Sequence, residues 1–391
     1  MREWLIVGGG IHGTYLANLL LDQPGLPAEN IDIIDPHDHL LEAWDRMTAN
    51  CGMRYLRSPA THHIDLPILS IYQFAKTPAG RSFAGFIPPY NRPALGLFRE
   101  HSRHVIARSH LDERHIQGRG LALHRDGPAY VVETTAGDLR TRRVLLAIGM
   151  SEQPCWPAWA QDLRRQGASV THVFDPDFKR DAVAPAGATL VVGGGITAVQ
   201  TALALAAVPE ADVTLVARRP LQESQFDFNP CWIGPKCLRR FYQEDYAARR
   251  ATIDEVRLPG SLPGEVMQEF QAALDPSHLT FRQAAIQKAS YDRDTIRLQT
   301  DEGPLIARRI VLATGFRQER PGGRFVDRLI QDFDLPCNPC GYPIVGPDLQ
   351  WGPNIFVTGP LAELQVGPCA RNIVGARNAG RMLLAGLEQK R

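Results

Sequence analysis

Two short apolar runs, Trp4-Leu5-Ile6-Val7 and Thr189-Leu190-Val191-Val192, each lead into three glycines and then into a helix-like stretch of apolar residues. Short apolar run, glycine turn and change of period together predict strand, turn and helix. A further apolar strand follows in each copy. It is Asn30-Ile31-Asp32-Ile33-Ile34-Asp35 in the first and Asp212-Val213-Thr214-Leu215-Val216-Ala217 in the second. Segments 129–149 and 295–315 repeat a third pattern: an alternating strand, a turn, then a continuous apolar run ending in Gly149 or Gly315. The alternating strands predict a half-exposed meander, and the continuous runs predict buried parallel strands. Asn354-Ile355-Phe356-Val357-Thr358-Gly359 predicts a last buried strand, and a helix is expected from about Cys369 to Leu387.

The glycines give the pattern its chemistry. Gly8-Gly9-Gly10-Ile11-His12-Gly13 returns as Gly193-Gly194-Gly195-Ile196-Thr197-Ala198. In such a turn the first glycine makes the bend, the second lets backbone approach a pyrophosphate, and the third packs helix against strand. The helix N-terminus then offers free N–H groups to phosphate. Gly8, Gly10, Gly13, Gly193, Gly195 and Thr197 are therefore candidate cofactor contacts. Asp35 ends the second strand of the first copy, where an acid would hold ribose hydroxyls. Arg218 and Arg219 end the matching strand of the second copy, where a guanidinium suits a 2′-phosphate. The expectation is FAD at the first site and NADP(H) at the second. The alternative is two glycine turns in an ordinary α/β domain.

The motif order resembles the two-dinucleotide-binding flavoproteins, and within them the class B flavin-dependent monooxygenases, particularly the lysine and ornithine N-hydroxylases. Leu312-Ala313-Thr314-Gly315-Phe316 is similar to the ATG-type motif of that group, and Gln225–Pro230 resembles its loop near the nicotinamide. The resemblance implies an α/β fold of two Rossmann-like dinucleotide-binding domains, the NADP domain inserted into a discontinuous FAD domain. The FAD domain is expected at 1–160 and 306–391, with a loop and helix insertion at 36–112, and the NADP domain at 161–305. It also implies that Trp44, Met53, Gly149, Thr314, Gly315, Gly359, Gly367 and Pro368 lie along the cofactors. The last helix is expected to point its N-terminus at the flavin, with Arg371 and Asn372 in its first turn. Departures are visible. Arg54 replaces a usual Gln after Met53, and Gly359-Pro360 replaces the Gly-Asp whose acid holds the ribityl chain in relatives. The activity implied is oxygen insertion into a small molecule through a flavin C4a-(hydro)peroxide, N-hydroxylation or a related reaction, with O2 as co-substrate.

Composition narrows the partners. A net charge of +1 over 391 residues gives no basic field for nucleic acid or an anionic membrane. No apolar run reaches the roughly 18 residues of a membrane span. The chain enters its first strand at once, so a cytoplasmic protein is the simplest expectation. The 7 cysteines do not suggest a secreted disulfide framework. Cys337-Asn338-Pro339-Cys340 is the sharpest rival signal, readable as a redox dithiol, half a zinc site or plain turn residues. No metal-ligand spacing stands out, so no metal is expected. A dithiol would make the chain an NADPH-dependent disulfide reductase; a slow FAD-binding redox sensor is a third reading. Catalytic residues are not legible beyond Arg54 and the pair His62-His63, which suit proton transfer or serve as surface residues.

Overall fold

The computed structural model describes residues 1–83, 85–184 and 186–389. Two sheets organise it. The first runs Gln350–Gly352, Ile355–Val357, Leu139–Leu146, Arg2–Val7, Ile31–Asp35, His115–Gln117, with the hairpin Gly120–Asp126 and Ala129–Thr134 attached to Leu139–Leu146. Its central strands are parallel, Ile6 lying opposite Ile33 on one side and Leu145 on the other. Both of its faces are covered, which is why its strands read as continuous apolar runs.

The second sheet is wholly parallel. Its order is Leu279–Gln283, Val213–Ala217, Thr189–Val192, Arg309–Leu312, Val170–His172. A three-stranded antiparallel meander, Ile286–Asp292, Thr295–Thr300 and Gly303–Ala307, precedes Arg309–Leu312. This copies the meander that feeds Leu139–Leu146 in the first sheet. The boundary expected at residue 306 is therefore displaced: Arg309–Leu312 pairs with Thr189–Val192 and belongs to the second sheet.

The insertion 36–112 is the crossover between the parallel strands Ile31–Asp35 and His115–Gln117. It carries helices Glu42–Asn50 and Leu95–Arg108, with Leu56, Ile71, Leu97 and Phe98 in a small core of its own. The last helix also differs from expectation. Gly367 has φ +90° and Pro368 follows, so residues 368–371 form a separate 3-10 turn. The helix proper spans Ile373–Glu388, and Asn372 precedes it in extended conformation. No described helix is long and apolar enough to cross a membrane.

Candidate active site

The first glycine turn joins Arg2–Val7 to helix Ile11–Leu21. Gly8 has φ +114°, and a Cβ there would sit 2.5 Å from the Ala147 carbonyl oxygen. A Cβ on Gly13 would collide with the Gly8 carbonyl, so helix and strand lie as close as glycine allows. A Cβ on Gly10 would meet nothing within 4 Å. That open side, next to the helix N-terminus, fits a phosphate group. Asp35 borders it: one carboxylate oxygen accepts from Gly9 N at 2.6 Å, the other from His37 N at 3.0 Å and the His37 ring at 2.7 Å. Burial raises the Asp35 pKa, but the bonds from His37 and Gly9 outweigh it and hold the group below the usual range. An ionised carboxylate has about four acceptor positions, so capacity remains for ribose hydroxyls.

Gly149 lies exposed beyond the end of the neighbouring strand. Trp44 packs on Phe98 at 4.9 Å between ring centroids, and Met53 joins the same cluster. Ile11 from the first helix and Ile373 from the last also reach this cluster, which brings the crossover over the turn. Gly359 sits beside the His12 ring. Gly367 and Pro368 are both buried, a Cβ on Gly367 meeting Leu238 at 2.8 Å.

The second turn is built on the same backbone. Gly193 N bonds Val216 O at 3.0 Å as Gly8 N bonds Ile34 O at 2.8 Å. The residue matching Asp35 is thus Ala217, and Arg218 and Arg219 follow it. Both arginines are exposed, and no hydrogen bond or ion pair engages them among the described residues. Thr197 lies half-buried in the first turn of helix Ile196–Ala206. Here the open side is roofed: a Cβ on Gly195 would meet the Cα of Gly260 at 3.1 Å. Thr314 and Gly315 end Arg309–Leu312, so they border this second turn. Thr314 Oγ1 donates to Cys155 O at 2.5 Å, and Cys155 N donates to Gly315 O at 2.8 Å.

The crossover clamps the roof. Arg57 donates to Ser224 O and Gln225 O, both at 2.8 Å, and to Ser261 Oγ at 2.9 Å. Arg92, buried, donates to Glu265 at 2.5 Å, and Tyr90 packs on Phe226 at 5.2 Å. Arg54 is exposed and pairs with Glu269. His63 is enclosed, bonded to Ile68 O at 3.0 Å and stacked edge-on against His101. Burial lowers the pKa of His62 and His63 to about 4, with the Arg377 charge adding to it in both. His63 therefore belongs to the packing beneath the crossover, whereas Arg54 turns to Glu269.

Sequence reasoning passed over three features. His12 bonds Thr358 Oγ1 at 2.9 Å and Asn372 O at 3.2 Å, and the Asn372 amide lies 3.3 Å from both Asp227 oxygens. Glu363, fully buried, is held by Arg371 at 2.7 Å and by Arg250 and Arg257. Burial raises its pKa, yet the three guanidiniums bring it below the usual carboxylate range. Cys231 and Cys237 form a disulfide. Cys337 and Cys340 are free, in a tight turn where Asn338 N bonds Tyr342 O at 2.9 Å. Burial raises the Cys337 thiol, the wrong direction for a reactive thiolate.

Residues 121–318 match the family model of L-lysine 6-monooxygenase/L-ornithine 5-monooxygenase, just over half of the chain. The chain belongs to that family. Residues 5–151 match a model of FAD-NAD(P)-binding proteins. Membership makes the chain an FAD- and NADP(H)-dependent oxidoreductase of the monooxygenase type. Comparison with curated proteins finds no match. Among solved structures, the chain resembles the cadaverine monooxygenase of desferrioxamine biosynthesis from Erwinia amylovora, at 14% identity and TM-score 0.78, covering 100% of this chain and 95% of that one. It resembles ornithine hydroxylase from Pseudomonas aeruginosa at 16% identity and TM-score 0.78, over 99% of each chain. L-lysine 6-monooxygenase from Pseudomonas syringae follows at 20% identity and TM-score 0.73, over 100% of this chain and 99% of that one. At these identities the likeness establishes the shared fold of the family members.

Proposed function

We propose that the protein N-hydroxylates a primary amine on a small molecule, with FAD seated at the first glycine turn and NADP(H) at the second. The observation that carries this is the chemical difference between two turns of one backbone. Asp35 stands beside Gly9 in the first, and Ala217 followed by two free arginines stands in the second. An acid there suits ribose hydroxyls, and arginine suits the extra phosphate of NADP(H). Bound FAD would supply the two-electron chemistry that activates O2.

The chain's own residues would do the rest. Gly8, Gly10 and Gly13 shape the flavin-nucleotide cradle, and Gly193, Gly195 and Thr197 the nicotinamide one. Trp44, Met53 and Gly149 would lie along the flavin, and Thr314 and Gly315 nearer the nicotinamide. Arg57, Arg92 and Tyr90 hold the crossover against the second sheet's loops, which would keep bulk water from the reacting centre. The relatives act on ornithine, lysine and cadaverine, and an amine of that size is the substrate class we assign. Dependence on NADPH supports work in the cytoplasm.

The test is purified protein with FAD, NADPH, O2 and a panel of primary amines. A product heavier by one oxygen, formed in step with NADPH consumption, supports the reading. NADPH consumption that yields only hydrogen peroxide with every amine contradicts it.

A further inference from the structure

The stretch after the last strand, Gly359-Pro360-Leu361-Ala362, is buried and has no polar side chain, and Pro360 has no N–H. This stretch therefore offers no acid that could hold a ribityl chain. His12 lies against it: a Cβ on Gly359 would come within 3.7 Å of its ring. Its ring nitrogens reach Thr358 Oγ1 at 2.9 Å and Asn372 O at 3.2 Å.

The partners fix its tautomer. A carbonyl only accepts, so Nε2 carries the proton and Nδ1 accepts from the Thr358 hydroxyl. Burial brings the ring to about 4, which keeps it neutral at pH 7. One neutral side chain thus ties three chain segments together. They are the N-terminus of helix Ile11–Leu21, the end of strand Ile355–Val357, and the residue before helix Ile373–Glu388. Asn372 passes the link on to Asp227, on a loop that leaves the second sheet.

We infer that His12 is a positioning residue for FAD in this chain, a rigid staple between the first glycine turn, the last strand and the last helix. The inference rests on FAD binding at the first turn. His12 has no hydrogen-bonding atom to spare for the flavin, so it acts through Asn372. Holding Asn372 fixes the start of the last helix, whose positive end would face the flavin and favour its anionic reduced form.

The test uses deflavinated wild-type protein and the variants His12→Ala, His12→Gln and Thr358→Val. FAD affinity is read by flavin fluorescence quenching, and the midpoint potential of the bound flavin is measured alongside. His12→Ala is expected to raise the FAD Kd at least tenfold and to move the potential to more negative values. His12→Gln, which keeps a donor for Asn372 O, recovers part of both. Thr358→Val, which removes only the hydroxyl, moves both in the same direction by less, and serves should His12→Ala fail to fold. Variants that melt at lower temperature while FAD Kd and potential stay at wild-type values would overturn the inference, because the role would then be structural only. Wild-type protein that binds no FAD at all overturns the cofactor reading itself, and the assignment of His12 with it.

Discussion

At the first glycine turn the space beside Gly10 is open for 4 Å, whereas the matching Gly195 of the second turn faces Gly260 at 3.1 Å. The helix positions differ too, Gly13 in one and Ala198 in the other. The first turn is packed to the limit and preformed. The second accepts a methyl group at its helix and carries a loop across its mouth, tied down by Arg57. Such a pair suits one nucleotide that stays bound and one that comes and goes. A motif shared between two sites therefore fixes the backbone, while the surroundings decide which ligand enters and how.

The largest effect is expected at Gly13. Gly13→Val drives a side chain into the Gly8 carbonyl, and backbone cannot yield cheaply, so a loss of about 3 kcal/mol or more and little flavin-bound protein are expected. Ala198→Gly at the second turn costs only about 1 kcal/mol. Urea unfolding of both variants measures the contrast, and equal losses would break it. Gly10→Ala is gentler. With no neighbour to strike, it should leave the melting temperature of the apoprotein unchanged and weaken FAD by about tenfold, roughly 1.4 kcal/mol. An apoprotein destabilised by Gly10→Ala would show that the space is not free.

Arg218→Ala sharpens the difference in ligand. The KM for NADPH should rise about tenfold, KM for NADH should move little, and FAD affinity should not change. Steady-state kinetics with both nucleotides read this directly. The last expectation concerns pH. Burial lowers His12, His62, His63 and His172 from 6.5 to about 4, and His101 to about 3. Between these values and 6.5 the unfolded chain binds protons that the folded chain does not, so stability present above pH 6.5 is lost as pH falls toward 4. A fall in melting temperature from pH 7 to pH 5 is expected. Four of the five histidines lie in the first part of the chain, so that part should lose protection first in hydrogen exchange.

The duplicated plan was legible because each copy repeats apolar run, glycine turn and charge at the strand end in one short stretch. What escaped depends on distant partners. Arg309–Leu312 is an apolar run that fits either sheet, and only pairing with Thr189–Val192 assigns it. His12 occupies a variable position of its motif, and its partners Thr358 and Asn372 lie at the other end of the chain. Arg57 reads as one arginine in a loop until Ser224, Gln225 and Ser261 surround it. Gly367 was read as a residue before a helix, and its packing against Leu238 is not visible in that local pattern. The pairing of Cys231 with Cys237 is a spatial fact that spacing does not reveal. The local Gly8-to-Asp35 relation could be read, and the links between segments could not.

The most direct test of two turns with two nucleotides is anaerobic addition of NADPH to FAD-loaded wild-type protein and to Gly195→Val, followed by flavin absorbance. The account predicts that both proteins hold FAD, that NADPH bleaches the wild type, and that bleaching is largely lost in Gly195→Val. A wild type that keeps no colour once unbound FAD is removed, or a Gly195→Val protein bleached as readily as the wild type, would contradict it.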